Sequence, residues 1–301
     1  MFKLLGQSKA WADLRHLQTF CWMVIGLICS GCINLTCLST YAESRAKLAQ
    51  SHQRRFSRWL HNNRINVHRL YKPIIKLALA DWNSSSIKII EDTTLLWNQY
   101  CLVRLSVQYR GRAVVLGWRV LEKSSSSVAL EKYQDLLCAS AKLLPPGVKV
   151  IFLADRGFAD TKLMRFNIEE EFLDEKSNGF QLEKSEIRSV MALSRLCLVV
   201  AVATLWLTSQ GEQVVAHGLR RRADCHWFRG NSYLRIGWDW LKAVVHKGWK
   251  LFPNMTLNGR VDPEPAIASR KQERKKLQRE FTVKSFKYLG KINCILCSKI
   301  F

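Results

Sequence analysis

Residues 86–122 read SIKIIEDTTLLWNQYCLVRLSVQYRGRAVVLGWRVLE, and this stretch decides the fold. SIKIIEDT (86–93) is a short β-rich run that ends in acids. YCLVRLSVQY (100–109) alternates with period two and stops at the turn signal Arg110-Gly111-Arg112. AVVLGWRVLE (113–122) then pairs back on it as a hairpin. Next comes SSSSVALEKYQDLLCASAKLLPPG (124–147), which predicts a helix capped in its serine cluster and stopped at Pro145-Pro146-Gly147. VKVIFLADRGF (148–158) follows as an apolar strand, expected to lie parallel in the sheet. The order of three meandering strands, a helix and a fourth strand predicts an α/β core with a mixed sheet and flanking helices.

Two acids sit at matching places in that plan. Asp92 is expected at the C-terminal end of the first strand and Asp155 at the end of the fourth. If those strands are neighbours, the two carboxylates lie side by side and repel unless a cation sits between them. Mg²⁺ takes such hard oxygen ligands. The alternative is structural: Asp92 caps a turn at Thr93-Thr94, and Asp155 pairs with Arg156.

The 301 residues carry 47 Lys plus Arg against 24 Asp plus Glu, a net charge of +23. A charge of that size points to nucleic acid or an anionic surface as partner. An apolar content of 48% excludes generic disorder and leaves ample material for a core. Ten cysteines are too few for a disulfide scaffold. The pairs Cys29/Cys32 and Cys294/Cys297 are too far apart in sequence, and too poor in nearby histidine, to read as a zinc site. A reducing cytoplasm is the simplest setting for them.

Residues 1–82 read as an all-helical basic region. No charged residue occurs from Leu17 to Ala42, whose centre is FCWMVIGLICSGCINLTCL. Its polar residues, its two glycines and the basic residues on both sides favour buried helices of a small bundle; a bilayer span is the alternative. From Arg45 to Ala80 there are nine Lys or Arg and no acid. Arg54, Arg55 and Arg58 form a basic helix face, with Phe56 and Trp59 on other faces. Ser51 is a candidate N-cap and Asn62-Asn63 a candidate stop. Uncompensated cations in this number suit phosphate contact better than a merely solvated face.

Several long strings resemble a known family, the bacterial insertion-sequence transposases of the DDE class. They are EDTTLLWNQYCLVRLSVQYRGRAV, VKVIFLADRGFADTKLM and RFNIEEEFLDEKSNGFQLEKSEIRS, with similarity continuing through ADCHWFRGNSYLRIGWDW to DPEPAIASRKQ. The resemblance spans roughly residues 10–272. It implies an RNase H-like core at 83–210, between the helical region 1–82 and a basic, Trp-rich C-terminal region 211–301. It implies Asp92, Asp155 and Glu169 as catalytic carboxylates holding Mg²⁺ (or Mn²⁺). Arg165 and Lys176 align with the phosphate-holding positions of the Y-x2-R-x3-E-x6-K signature. The implied activity is metal-dependent cleavage and strand transfer of double-stranded DNA, at element ends and target, by a homo-oligomer.

Two departures qualify the match. Lys162 stands where the signature has tyrosine. Only 13 residues separate Asp155 from Glu169, where the family places a helix, a fifth strand and a β-rich insertion. The chain reads as the family with an internal deletion near 163/164. An enzyme and a non-catalytic DNA-binding remnant are both consistent with it.

Farther along, EIRSVMALSRLCLVVAVATLWLTS (186–209) predicts a core helix, since Arg188 and Arg195 interrupt it. Arg220, Arg221 and Arg222 precede Trp227, Trp238, Trp240 and Trp249. Cations interleaved with aromatics suit DNA contact, though tryptophans at this spacing also suit a core. RKQERKKLQRE (270–280) reads as a solvated helix or a DNA-binding arm.

Overall fold

The computed structural model describes residues 1–6, 10–82, 86–154, 180 and 182–266. Four strands form one mixed sheet: β1 (Ile87–Leu96), β2 (Tyr100–Tyr109), β3 (Arg112–Glu122) and β4 (Val150–Ala154). Their order is β3-β2-β1-β4, with β1/β2 and β2/β3 antiparallel and β1/β4 parallel. Arg110 and Gly111 close the second hairpin at φ 46° and 84°. Positive φ at both positions matches the strand twist, which is why the Arg-Gly pair turns well there. The register slips between Leu105 and Ser106, where Leu105 faces Gly117 but Ser106 faces Val115.

The first strand is longer than expected. It runs through Thr93-Thr94-Leu95-Leu96, which pair with Val103, Leu102, Cys101 and Tyr100. Asp92 therefore lies inside β1, not at its end. The β-branched and apolar residues after it find partners on β2, and the chain turns only at Trp97–Gln99. The alternation in β2 also does not mean one wet face. All of its residues are buried except half-buried Gln108, because helices cover both sides.

Helix α6 (Gln134–Ala141) lies on one face, packed so closely that a Cβ at Gly117 would meet Leu136 and Ser140. It is much shorter than the serine-capped helix expected. Ser125 Oγ accepts the N–H of Ser127, and the Ser126 carbonyl accepts the Thr93 hydroxyl at 2.9 Å. Short hydroxyl side chains that bond to nearby backbone compete with helix formation.

The opposite face is covered by α5 (Val67–Ala78) and α7 (Val190–Ala216). Tyr71 donates to the carbonyl of Val115 at 2.7 Å, and Trp118 donates to that of Ser194 at 3.0 Å. Before α5 come α1 (Phe2–Gly6), α2 (Leu14–Ser30), α3 (Leu35–Ser39) and α4 (Ala49–Leu60). The uncharged run 17–42 is thus two helices, parted at Gly31 with φ 68°. Phe20, Met23, Val24 and Leu27 of α2 are fully buried, as the bundle reading expects. Among the described residues α7 alone is long and apolar enough to cross a membrane, and most of it is buried within the protein.

Helix α7 continues unbroken across the expected boundary at 210/211. There it crosses α8 (Tyr233–Lys247) at two glycines: a Cβ at Gly211 would strike the Tyr233 carbonyl, and one at Gly237 the Leu207 carbonyl. After α8 the chain runs back along the core. Gln210 bonds Phe252 through both amide atoms, and Trp82 donates to the Leu257 carbonyl at 2.8 Å. The C-terminal region up to residue 266 is therefore knitted to the core and to the end of α5.

Candidate functional site

Cross-strand partners share a sheet face, so the ladders place Asp92, Arg104 and Trp118 in one row. The row lies on the side covered by α7, where Trp118 bonds Ser194. Asp92 is half-buried, and its Oδ1 accepts the N–H of Thr93 at 2.8 Å. That bond matches the capping alternative only in part, because the backbone there is extended strand and not a turn. Arg104 is only 3% exposed. It was not picked out as a site residue from the sequence, although a lone Arg inside an apolar strand is itself a signal: a buried guanidinium needs nearby acceptors.

Glu91 points to the other face, toward α6. Burial raises its pKa above the usual carboxylate range, against the hydrogen bond from Tyr133, and neighbouring Asp92 adds to the rise. Tyr133 is pushed up to about 12 by burial and by Glu91. The adjacent acids are thus split across the sheet, and Asp92 alone belongs to the α7 side.

The parallel β1/β4 ladder runs from Ile87↔Val150 to Glu91↔Ala154. Those last partners immediately precede Asp92 and Asp155 in the sequence. Asp155, Arg165, Glu169, Lys176, the 163/164 junction and the 270–280 segment all lie outside the described residues. Among the described residues no three His, Cys, Asp or Glu side chains gather as a metal site. Cys29 and Cys32 are free thiols beside the Gly31 turn.

The basic region is the larger feature. Helix α4 buries His52, Phe56, Trp59 and Leu60 and exposes Arg54, Arg55 and Arg58. Trp59 anchors the inner face, donating to the His16 carbonyl at 3.0 Å and stacking on Phe20. Arg55 leans over the Trp22 ring at 5.2 Å. Ser51 lies inside the helix; the N-cap is Leu48, without a side-chain bond. The helix stops at Leu60, just before Asn62-Asn63.

Arg45, Lys47, Arg54, Arg55, Arg58, Arg64, Arg69, Lys72 and Lys76 are all exposed. Among the described residues none of them has an ion-pair partner. Beside Arg54, the polar groups of Asn34, Thr36, Gln53, Ser57 and Ser185 line an open depression. Such a surface presents phosphate oxygens with both charge and donors.

Comparison with protein families, characterised proteins and solved structures finds no match to this chain.

Proposed function

We propose that the protein is a DNA transposase of the DDE class with an RNase H-like core. The observation that carries this reading is the β1/β4 ladder, whose last described pair, Glu91 and Ala154, directly precedes Asp92 and Asp155. The β3-β2-β1-β4 order supports the same core. Asp92, Asp155 and Glu169 would hold Mg²⁺ (or Mn²⁺), and half-buried Asp92 has the hard oxygen donors these ions take. When bound, the metal supplies activation of the attacking oxygen and neutralises charge at the phosphate. The chain's own cations do the rest. Arg54, Arg55, Arg58 and their neighbours bind duplex DNA at element ends, and Arg165 and Lys176 orient phosphates near the reacting bond. The working form is a cytoplasmic homo-oligomer holding two ends.

A second reading is a non-catalytic DNA-binding remnant. It is favoured by the 13-residue interval between Asp155 and Glu169, and by Arg104 opposite Asp92, a buried cation where a metal site needs room. Plasmid DNA carrying the sequences that flank this coding region separates the readings. The chain is incubated with it in Mg²⁺ or Mn²⁺ beside Asp92→Ala and Asp155→Ala. Nicking lost in both variants supports the transposase. DNA binding without nicking leaves the remnant, and no DNA binding removes both.

A further inference from the structure

Residues 224–230 form an exposed loop after α7 whose polar supports are all inside the protein. Asp224 is 2% exposed, and its carboxylate accepts the backbone N–H groups of His226, Gly230 and Asn231. Arg220, equally buried, donates to the carbonyls of Asp224, His226 and Trp227 and pairs with Glu264 at 2.6 Å. Arg229 closes the far end through Asp262 at 2.8 Å and the Asn231 carbonyl. Two buried arginines and a buried aspartate fix the backbone of a single short loop.

The loop holds large apolar rings out in water. Trp227 is 84% exposed and Phe228 50% exposed. Burying such rings is normally favourable, so adjacent exposed aromatics on a fixed loop mark a contact surface. Cations surround them. Arg221 and Arg222 are exposed, and the Arg221 guanidinium lies 5.9 Å from the Trp227 ring. Flat π-faces among unpaired positive charges match nucleic-acid bases joined by phosphates. A second copy of the chain fits poorly. Stable interfaces need about 800 Å² per partner, and a twofold contact here would press Arg221 and Arg222 against their own copies.

We infer that the 224–230 loop binds single-stranded DNA, with Trp227 and Phe228 stacking on unpaired bases and Arg221 and Arg222 meeting the adjoining phosphates. The inference rests on the DNA-binding reading for its partner but not on cleavage. It adds a site separate from the α4 and α5 surface.

Anisotropy of a labelled oligo-dT strand and of a duplex of equal length tests it, using the full chain. Trp227→Ala is expected to weaken oligo-dT binding about tenfold, in the range found when one stacked base is lost. Duplex affinity stays within about twofold, since phosphate contacts dominate it. Trp227→Phe, which keeps a ring, recovers most of the loss. Circular dichroism checks that each variant folds. The inference is overturned if Trp227→Ala binds oligo-dT as the parent does, or if Trp227→Phe is no better than Trp227→Ala. It also falls if Trp227→Ala changes only the sedimentation of the protein, which would make the patch a contact between copies. Duplex binding by the parent without oligo-dT binding removes this inference and leaves the DNA-binding reading standing; loss of both removes the two together.

Discussion

Arg195, buried in α7, donates a 2.7 Å hydrogen bond to the carbonyl oxygen of Leu60, the last residue of α4. A second bond reaches the Ile65 carbonyl at 3.2 Å. One core side chain thus holds the end of the basic helix and the turn that follows it. An arginine in an apolar helix, read from sequence as an argument against a membrane span, acts as an internal cap between distant elements.

Arg195→Met keeps the bulk of the side chain and removes both donors. Unfolding in urea is expected to show a loss of about 2–4 kcal/mol, because two inward carbonyls lose their partner. Amide exchange should quicken most at the C-terminal turn of α4. Unchanged stability would mean that water replaces the guanidinium at no cost.

Replacing Arg54, Arg55 and Arg58 together with Glu is expected to leave the melting temperature nearly unchanged, since all three are exposed. Duplex affinity should fall steeply. If all three meet phosphates, the slope of log affinity against log salt should drop by about 0.9 for each contact removed. A parallel titration of parent and variant checks this, and equal slopes would place the duplex elsewhere.

Asp224 sets the acid limit of the 224–230 loop. Burial alone would raise its pKa, but hydrogen bonds from the His226 side chain and from the His226, Asn231 and Gly230 backbone outweigh it, and the carboxyl sits below its ordinary value. A carboxylate whose pKa is lower folded than unfolded contributes stability above its unfolded value and loses it as pH falls through the folded value. Loosening is therefore expected below about pH 4, the ordinary aspartate range. Tryptophan emission followed through an acid titration should show the step in the parent. Asp224→Asn should start looser at neutral pH and lack it.

Local features were legible in the sequence wherever the cause was local. Arg110-Gly111 turns because two adjacent residues take positive φ, and the strands on either side announce themselves by composition. The parallel placement of β4 followed from its apolar run after a helix. Other features depend on distant partners. Nothing near Asp92 tells that β1 continues past it; the reason is Val103, Leu102 and Cys101 across the hairpin. The serines at 124–127 read as a helix cap, yet one of their carbonyls is taken by Thr93 from another strand. In the candidate site, the cations of α4 were visible because exposure follows helical spacing around Phe56 and Trp59. Arg104, Arg220 and Arg229 were not, because their roles come from burial beside residues remote in the chain.

The return of the chain along the core has a consequence for how the protein is made. Leu257 donates its N–H to the carbonyl of Ala78 at 2.9 Å and accepts the indole N–H of Trp82. On the ribosome, the end of α5 must wait for about 175 further residues before that partner emerges. The helical region with the basic surface is thus made first but closed last. A nascent chain exposes that surface, next to abundant ribosomal RNA, before its final lock is in place.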